Sequence, residues 1–371
     1  MPSALFTPIQ FRGLSSPNRI MVSPMCQYSS VQGKATAWHM INLGGLALSG
    51  AGMLGIEATA VVPEGRITHQ DLGLYDDATE AALAPVIEAV HEYGQSAVFI
   101  QLAHAGRKAS SYTPWEGGQL RPLSDGGWTP VSSSAVPYKD GEPPPIALDD
   151  AGLERVRNAF AMAARRAHRI GIDGIEIHAA HGYLLHQFLS PLSNQRTDRY
   201  GGPLENRIRF PLEIFDLVRA AFPDDKPVGV RVSATDWVPG GWDLEETIVF
   251  ANELRRRGAD WIDVSTGGLS PLQKITLGPG YQVPFAKRVK RESGLPTVAV
   301  GLITTPQQAE EIVASGQADM VALARAMLYD PRWGWHAAAE LGATVDAPRQ
   351  YWRGVPREQA GIFRNVVNGS R

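Results

Sequence analysis

Four short runs decide the fold: Val228-Gly229-Val230-Arg231-Val232, Trp261-Ile262-Asp263-Val264, Thr297-Val298-Ala299-Val300 and Met320-Val321-Ala322-Leu323. Each is mostly apolar on both parities, as expected of strands buried on both faces of a parallel sheet. Stretches of helical period separate them, at Leu244–Arg257, Pro284–Glu292 and Thr305–Ala314. Gly258, Gly294 and Gly316 follow these helices, where a turn into the next strand needs a residue tolerant of positive φ.

The same rhythm extends toward the N-terminus. Arg19–Ser23, Met53–Glu57, Ala97–Gln101 and Gly174–His178 read as strands, and Asp77–Glu92 and Asn206–Ala221 as helices, with Gly94 as another stop. Leu153, Val156, Phe160, Ala163 and Ala167 form one apolar helical face, with Asp149 or Asp150 as N-cap and Gly171 as stop. Eight strands alternating with about eight helices predict an α/β fold, a closed (β/α)8 TIM barrel. A doubly wound open sheet is the alternative, but no Gly-x-Gly-x-x-Gly turn follows the first strand. Two long excursions interrupt the rhythm after strands three and four. Residues 104–148, rich in Gly, Pro and Ser, are expected to form a hairpin or lid, and residues 179–205 a long connection. No linker divides the chain, so residues 1–371 are expected to be a single domain with a C-terminal tail at 343–371.

The 371 residues carry 35 Lys and Arg against 38 Asp and Glu, a net charge of −3. That mixed balance disfavours nucleic-acid and membrane-surface partners. Cys26 is the single cysteine, so no internal disulfide or cysteine-rich metal site is available. With no basic and apolar leader in Met1–Phe6, a cytoplasmic location is expected.

In a barrel, the residues just past each strand line one pocket. His178 and His181 fit three readings: zinc ligands with His104 as a third, ordinary loop histidines, or a donor pair aimed at a substrate oxygen. The Tyr183 phenol, with a reference pKa of ~10, holds a proton at neutral pH. It is either a proton donor or a half-buried aromatic. Arg231 ends an apolar strand and requires an anion, from a cofactor or from a structural salt bridge. Gly301 and Ala324-Arg325 end the last two strands, where barrels hold phosphate on backbone N–H groups. Cys26 is either an inert small hydrophobe or a thiol tuned by its surroundings. No nucleotide P-loop, zinc-protease helix or nucleophile elbow is present. No lysine ends a strand, which disfavours a Schiff-base aldolase. Glu57 and Glu176 find no partner carboxylate on strand seven, which disfavours a glycosidase.

Together these rim motifs resemble the Old Yellow Enzyme family of flavin-dependent ene-reductases, specifically its thermophilic-like bacterial subclass. The resemblance rests on Ser23-Pro24-Met25-Cys26-Gln27-Tyr28, Glu57-Ala58-Thr59-Ala60, Gln101-Leu102-Ala103-His104-Ala105-Gly106-Arg107, His178-Ala179-Ala180-His181-Gly182-Tyr183-Leu184 and the Asn194–Gly202 segment. It implies an NADPH dehydrogenase with bound FMN, reduced by NADPH or NADH, that passes hydride to an activated alkene. Ser23, Pro24, Met25, Cys26, Ala60, Gln101 and Arg231 match positions that hold the flavin ring, and Gly301, Ala324 and Arg325 the phosphate site. His178 and His181 match the pair gripping a carbonyl or nitro oxygen, and Tyr183 the proton donor. Tyr28 matches a substrate-side residue and Cys26 a residue that tunes the flavin. No metal is implied. The resemblance also implies a homo-oligomer, dimer or tetramer, in which Arg353 of the tail enters a neighbour's substrate pocket. Trp352 departs from some relatives on that side. Other readings of the same barrel are a lyase or isomerase of phosphate substrates and a flavin-binding barrel without turnover.

Overall fold

The computed structural model describes residues 2–366. Eight parallel strands close into a barrel: β1 Ile20–Val22, β2 Met53–Ala60, β3 Ala97–Ala103, β4 Gly174–Ala179, β5 Val228–Ser233, β6 Ile262–Ser265, β7 Thr297–Val300 and β8 Met320–Leu323. All eight strands expected from the sequence are present and pair in chain order, and β8 closes on β1. Helices cross between them and bury one face. Leu153, Val156, Phe160, Ala163 and Ala167 of the Asp150–Arg169 helix are each 0% exposed, and the Asp149 side chain caps its N-terminus by accepting the Gly152 N–H.

Inside the barrel, side chains alternate along each strand and stack in layers. Met21, Met53, Phe99, Trp261, Val298 and Met320 form a dry layer at the N-terminal end. A hairpin of Ile9–Phe11 and Leu14–Ser16 closes that end, with the Phe11 ring 5.6 Å from Trp261. Gly229 makes room for the indole, because a Cβ there would fall 2.1 Å from the Trp261 ring.

Several expectations need correction. The segment 104–148 is not a hairpin. Val131–Ser132 and Ile146–Ala147 pair in parallel, and the rest is turns and short 3-10 helices. Gly258, Gly294 and Gly316 do take positive φ, but Gly94 does not (φ −81°). A Cβ on Gly94 would instead meet the Val90 carbonyl at 2.4 Å. The helix expected over 206–221 is two helices, Leu204–Arg207 and Arg209–Ala221. Strand β2 runs on to Ala60 through a register shift between Ile56 and Ala58. The closing hairpin was not foreseen. Its strands are three residues each, too short to show a period.

Candidate active site

Above the dry layer the barrel interior turns polar. Gln101 pairs in register with Glu176 and Arg231 with Asp263 on neighbouring strands, and each of the four is 7% exposed or less. The Arg231 Nε lies 3.1 Å from Asp263 Oδ2, and Nη1 donates to Ser23 Oγ at 3.2 Å. Glu176 accepts from Gln101 Nε2 at 2.8 Å and from the Trp261 indole N–H at 3.1 Å. Burial, reinforced by the Asp263 charge, pushes the Glu176 carboxyl up to about 7. Arg231 therefore has its structural salt bridge. Its guanidinium makes no further hydrogen bond among the described residues, and the Gln101 Oε1 is unused.

The next layer toward the rim carries the histidines. His178 Nδ1 accepts the Ala180 N–H at 3.3 Å, which places the single hydrogen of a neutral ring on Nε2. That Nε2 faces His181 Nδ1 at 3.4 Å. Burial, with Arg231 adding to it, holds both imidazoles well below the usual histidine range, so both are neutral at pH 7. The Tyr183 ring stands edge-on to His178, with centroids 5.0 Å apart. Burial pushes its phenol well above 10, so it keeps its proton.

A turn with positive φ at His181 and Gly182 presents these side chains. The Gly182 N–H donates to His186 Nδ1 at 3.0 Å, and His186 Nε2 sits 2.8 Å from Asp236 Oδ1. Both residues are fully buried, and Ser190 and Trp242 hold the other Asp236 oxygen. Lys108 ties the turn from the 104–148 segment, donating to the carbonyls of His181 and Gly268. Burial lowers its amine to about 8. The sequence reading missed His186, Asp236 and Lys108. Their partners are distant in the chain, and no local motif marks them.

His104 stands apart from this pair, its Nδ1 occupied by the Gly106 N–H. Among the described residues no three His, Cys, Asp or Glu side chains gather as a metal site. Burial, then the charges of Asp71 and Glu57, push the Cys26 thiol up, so it is a neutral S–H and not a thiolate. Glu57 serves the loop carrying Cys26, accepting the Gln27 N–H at 3.0 Å and lying 3.3 Å from His39 Nε2. Tyr28, φ +49°, packs edge-on to Trp115 of the 104–148 segment at 5.5 Å. A cavity of about 180 Å³ lies between Tyr28, Lys108, Tyr112 and Tyr138.

On the opposite side of the mouth, a cavity of about 590 Å³ is lined by Gly301, Leu302, Thr304, Ala324 and Arg325. Among the described residues the backbone N–H groups of Gly301, Leu302, Ala324 and Arg325 donate to nothing. Arg325 is exposed and forms no ion pair there. At Gly301, φ is +112° and a Cβ would fall 2.4 Å from Gln282 Nε2. Unpaired N–H groups beside a free guanidinium suit a phosphate. The half-satisfied Arg231 and Gln101 suit the polar edge of a flavin ring. The residues present therefore fit FMN.

Comparison with known proteins settles the class. The model of the NADH:flavin oxidoreductase / NADH oxidase family matches residues 4–343. The chain belongs to this family. It is 44% identical to the NADPH dehydrogenase of Geobacillus thermodenitrificans over 95% of this chain and 99% of that protein. It is 43% identical to the NADPH dehydrogenase of Bacillus subtilis over 95% of this chain and 100% of that one. Morphinone reductase superposes with a TM-score of 0.76 at 28% identity, covering 98% of this chain and 95% of the other. This oxidoreductase is thus an Old Yellow Enzyme relative that uses FMN and a nicotinamide reductant. The phosphate lyase or isomerase and the non-catalytic barrel fall away. No described helix is long and apolar enough to cross a membrane. Arg353 is exposed on the Arg349–Gly354 turn and lines neither cavity of its own chain. Residues 367–371 of the tail lie outside the described residues.

Proposed function

We propose that this oxidoreductase reduces the C=C bond of α,β-unsaturated carbonyl and nitro compounds. FMN, when bound, would supply the hydride-transfer chemistry between NADPH or NADH and the alkene carbon. The remaining work falls to the protein. His178 and His181 orient the substrate by its oxygen, and their N–H groups stabilise the negative charge that builds there. Burial keeps both rings neutral, so each offers a hydrogen without carrying a competing charge. Tyr183 stays protonated beside them and delivers its proton to the α-carbon. Tyr28 and the lid exclude water from that face. Arg231 would stabilise negative charge on the cofactor ring, and Cys26, a neutral thiol, would tune it.

One observation supports this reading above the others. Two neutral imidazoles 3.4 Å apart and a protonated tyrosine converge over a buried arginine, on a rim with a phosphate cradle opposite. We also infer a cytoplasmic homo-oligomer, dimer or tetramer, in which Arg353 of one copy completes a neighbour's pocket. Its exposure on the tail turn leaves it free to do so.

The test is anaerobic. NADPH bleaches the yellow protein, and a cyclic enone restores the colour while being saturated. Tyr183→Phe keeps the bleaching and slows the restoration, by roughly 10²–10⁴-fold for loss of a general acid. Restoration at the wild-type rate with several enones removes Tyr183 as the donor. Failure of every activated alkene to restore the colour ends the functional reading.

A further inference from the structure

The cavity of about 180 Å³ beside Tyr28 is unbalanced in charge. Three cations, Arg107, Lys108 and Lys139, line it against one carboxylate, Glu142. Among the described residues none of the three forms an ion pair, and Glu142 accepts the backbone N–H of Lys139 at 3.2 Å. Arg107 and Lys108 spend their hydrogens on carbonyl oxygens instead. Arg107 donates to Val136 at 3.3 Å, Pro137 at 3.2 Å and Leu269 at 2.8 Å. Lys108 Nζ donates to His181 at 2.8 Å and Gly268 at 3.0 Å. Carbonyls carry partial charge only, so neither cation is neutralised.

Buried charges are ordinarily paired. Arg107 is 6% exposed, and its Nε is buried without a partner. An ammonium carries three hydrogens, and carbonyls take two of those on Lys108. Burial lowers Arg107 to about 10 and Lys108 to about 8, as expected of cations without an acid beside them. The Tyr138 ring compensates in part, 4.9 Å from Lys108 Nζ and 5.8 Å from the Arg107 guanidinium carbon. The hydroxyls of Tyr28 and Tyr138, both on the cavity wall, make no hydrogen bond among the described residues. Burial raises both phenols above their usual range, so both keep a hydrogen to give. Unspent donors beside uncompensated cations suit an oxyanion.

The cavity adjoins the histidine turn. Lys108 Nζ lies 5.1 Å from the centre of the Tyr183 ring and holds the His181 carbonyl. A molecule gripped at the histidine pair therefore has this cavity within reach of its far end. We propose that the cavity is an anion subsite, in which Lys108 and Arg107, with the hydroxyls of Tyr28 and Tyr138, take a carboxylate or phosphate of a molecule whose reacting part sits at the histidine pair. Such a group comes from either of two sources: an acid remote from the activating carbonyl of the alkene, or a phosphate of the nicotinamide reductant. The proposal rests on the functional reading above and adds a charge preference to it.

The experiment uses the flavin-loaded protein and reads affinity from the absorbance of its flavin. Two probes, para-hydroxybenzoate and para-hydroxybenzamide, share ring and phenol and differ in the charge of the far group. Expected is about tenfold tighter binding of the benzoate, the effect of one hydrogen bond to a charged group. In Lys108→Met that preference disappears, and Tyr138→Phe lowers it partway. The benzamide affinity of each variant registers any disturbance of the turn that Lys108 holds. Where Lys108→Met does not fold, Tyr138→Phe decides. A second arm compares anaerobic bleaching by NADPH with bleaching by N-benzyldihydronicotinamide, which has no phosphate. A benzoate preference lost in the variants assigns the anion to the alkene, and a Lys108→Met defect confined to NADPH assigns it to the reductant. A benzoate preference that survives both variants overturns the proposal. Equal binding of the two phenols, with no defect specific to NADPH, overturns the subsite alone. A flavin spectrum that responds to neither phenol overturns the histidine-pair reading, and the subsite with it.

Discussion

The barrel interior has two halves with opposite chemistry. Toward the N-terminal ends of the strands, Met21, Met53, Phe99, Trp261 and Met320 interlock without a charge. One step up the same strands, Gln101, Glu176, Arg231 and Asp263 bring three ionisable groups into a space equally dry. The lower half holds the fold through apolar burial and dispersion. The upper half is costly to bury, and it is retained where a site needs a fixed cation and fixed donors. The two meet at Trp261, whose ring packs below while its N–H serves Glu176. Function here sits on a platform whose lower surface is ordinary core.

Four substitutions test that division. Arg231→Met should have the largest effect, because it strands Asp263 and Glu176 without their cation. Removing one partner of a buried pair costs about 3–5 kcal/mol, and FMN content should fall with it; a stable, fully yellow variant would show that the upper layer needs no charge. Met53→Ala should cost a comparable or smaller amount, about 2–5 kcal/mol by denaturant titration, while FMN affinity and turnover per folded molecule stay unchanged. A kinetic defect there would mean that the halves are coupled. Gly301→Ala forces a positive-φ position and a clash with Gln282, at a cost of about 1–3 kcal/mol. It should be read first in weakened FMN binding.

A fourth effect is on pH dependence. Burial raises the Glu176 carboxyl to about 7 in the folded protein, against about 4.3 unfolded. Between those values the native state holds a proton that the unfolded state has lost. Stability therefore falls as pH rises through that window, by up to about 1.4 kcal/mol per pH unit. Glu176→Gln should flatten that slope in unfolding curves taken at about pH 5 and about pH 7. An equally steep decline in the variant would assign it to Asp263 or elsewhere.

The fold was legible because each barrel strand is apolar on both parities and each helix has a clear face and stop. What the sequence concealed depends on contacts between distant segments. Glu57 reads as a strand-end carboxylate, yet the register shift in β2 turns it to Gln27 and His39. Arg231 reads as a cation in need of an anion, but nothing local names Asp263, a neighbour only through strand pairing. The His178, His181 and Tyr183 cluster was visible because one turn carries it all. The groups that hold this turn, Asp236 behind His186 and Ser265 behind His181, come from two other strand ends.

Closure of the cylinder has a consequence for synthesis in the cell. Ile20–Val22 finds its second neighbour in Val321–Leu323, about 300 residues downstream. At roughly 5–20 residues per second, the ribosome delivers that neighbour about 15–60 s after the first strand emerges. Throughout that interval the nascent sheet carries open edges able to pair with other chains. The first strand therefore waits for the last before the cylinder can close.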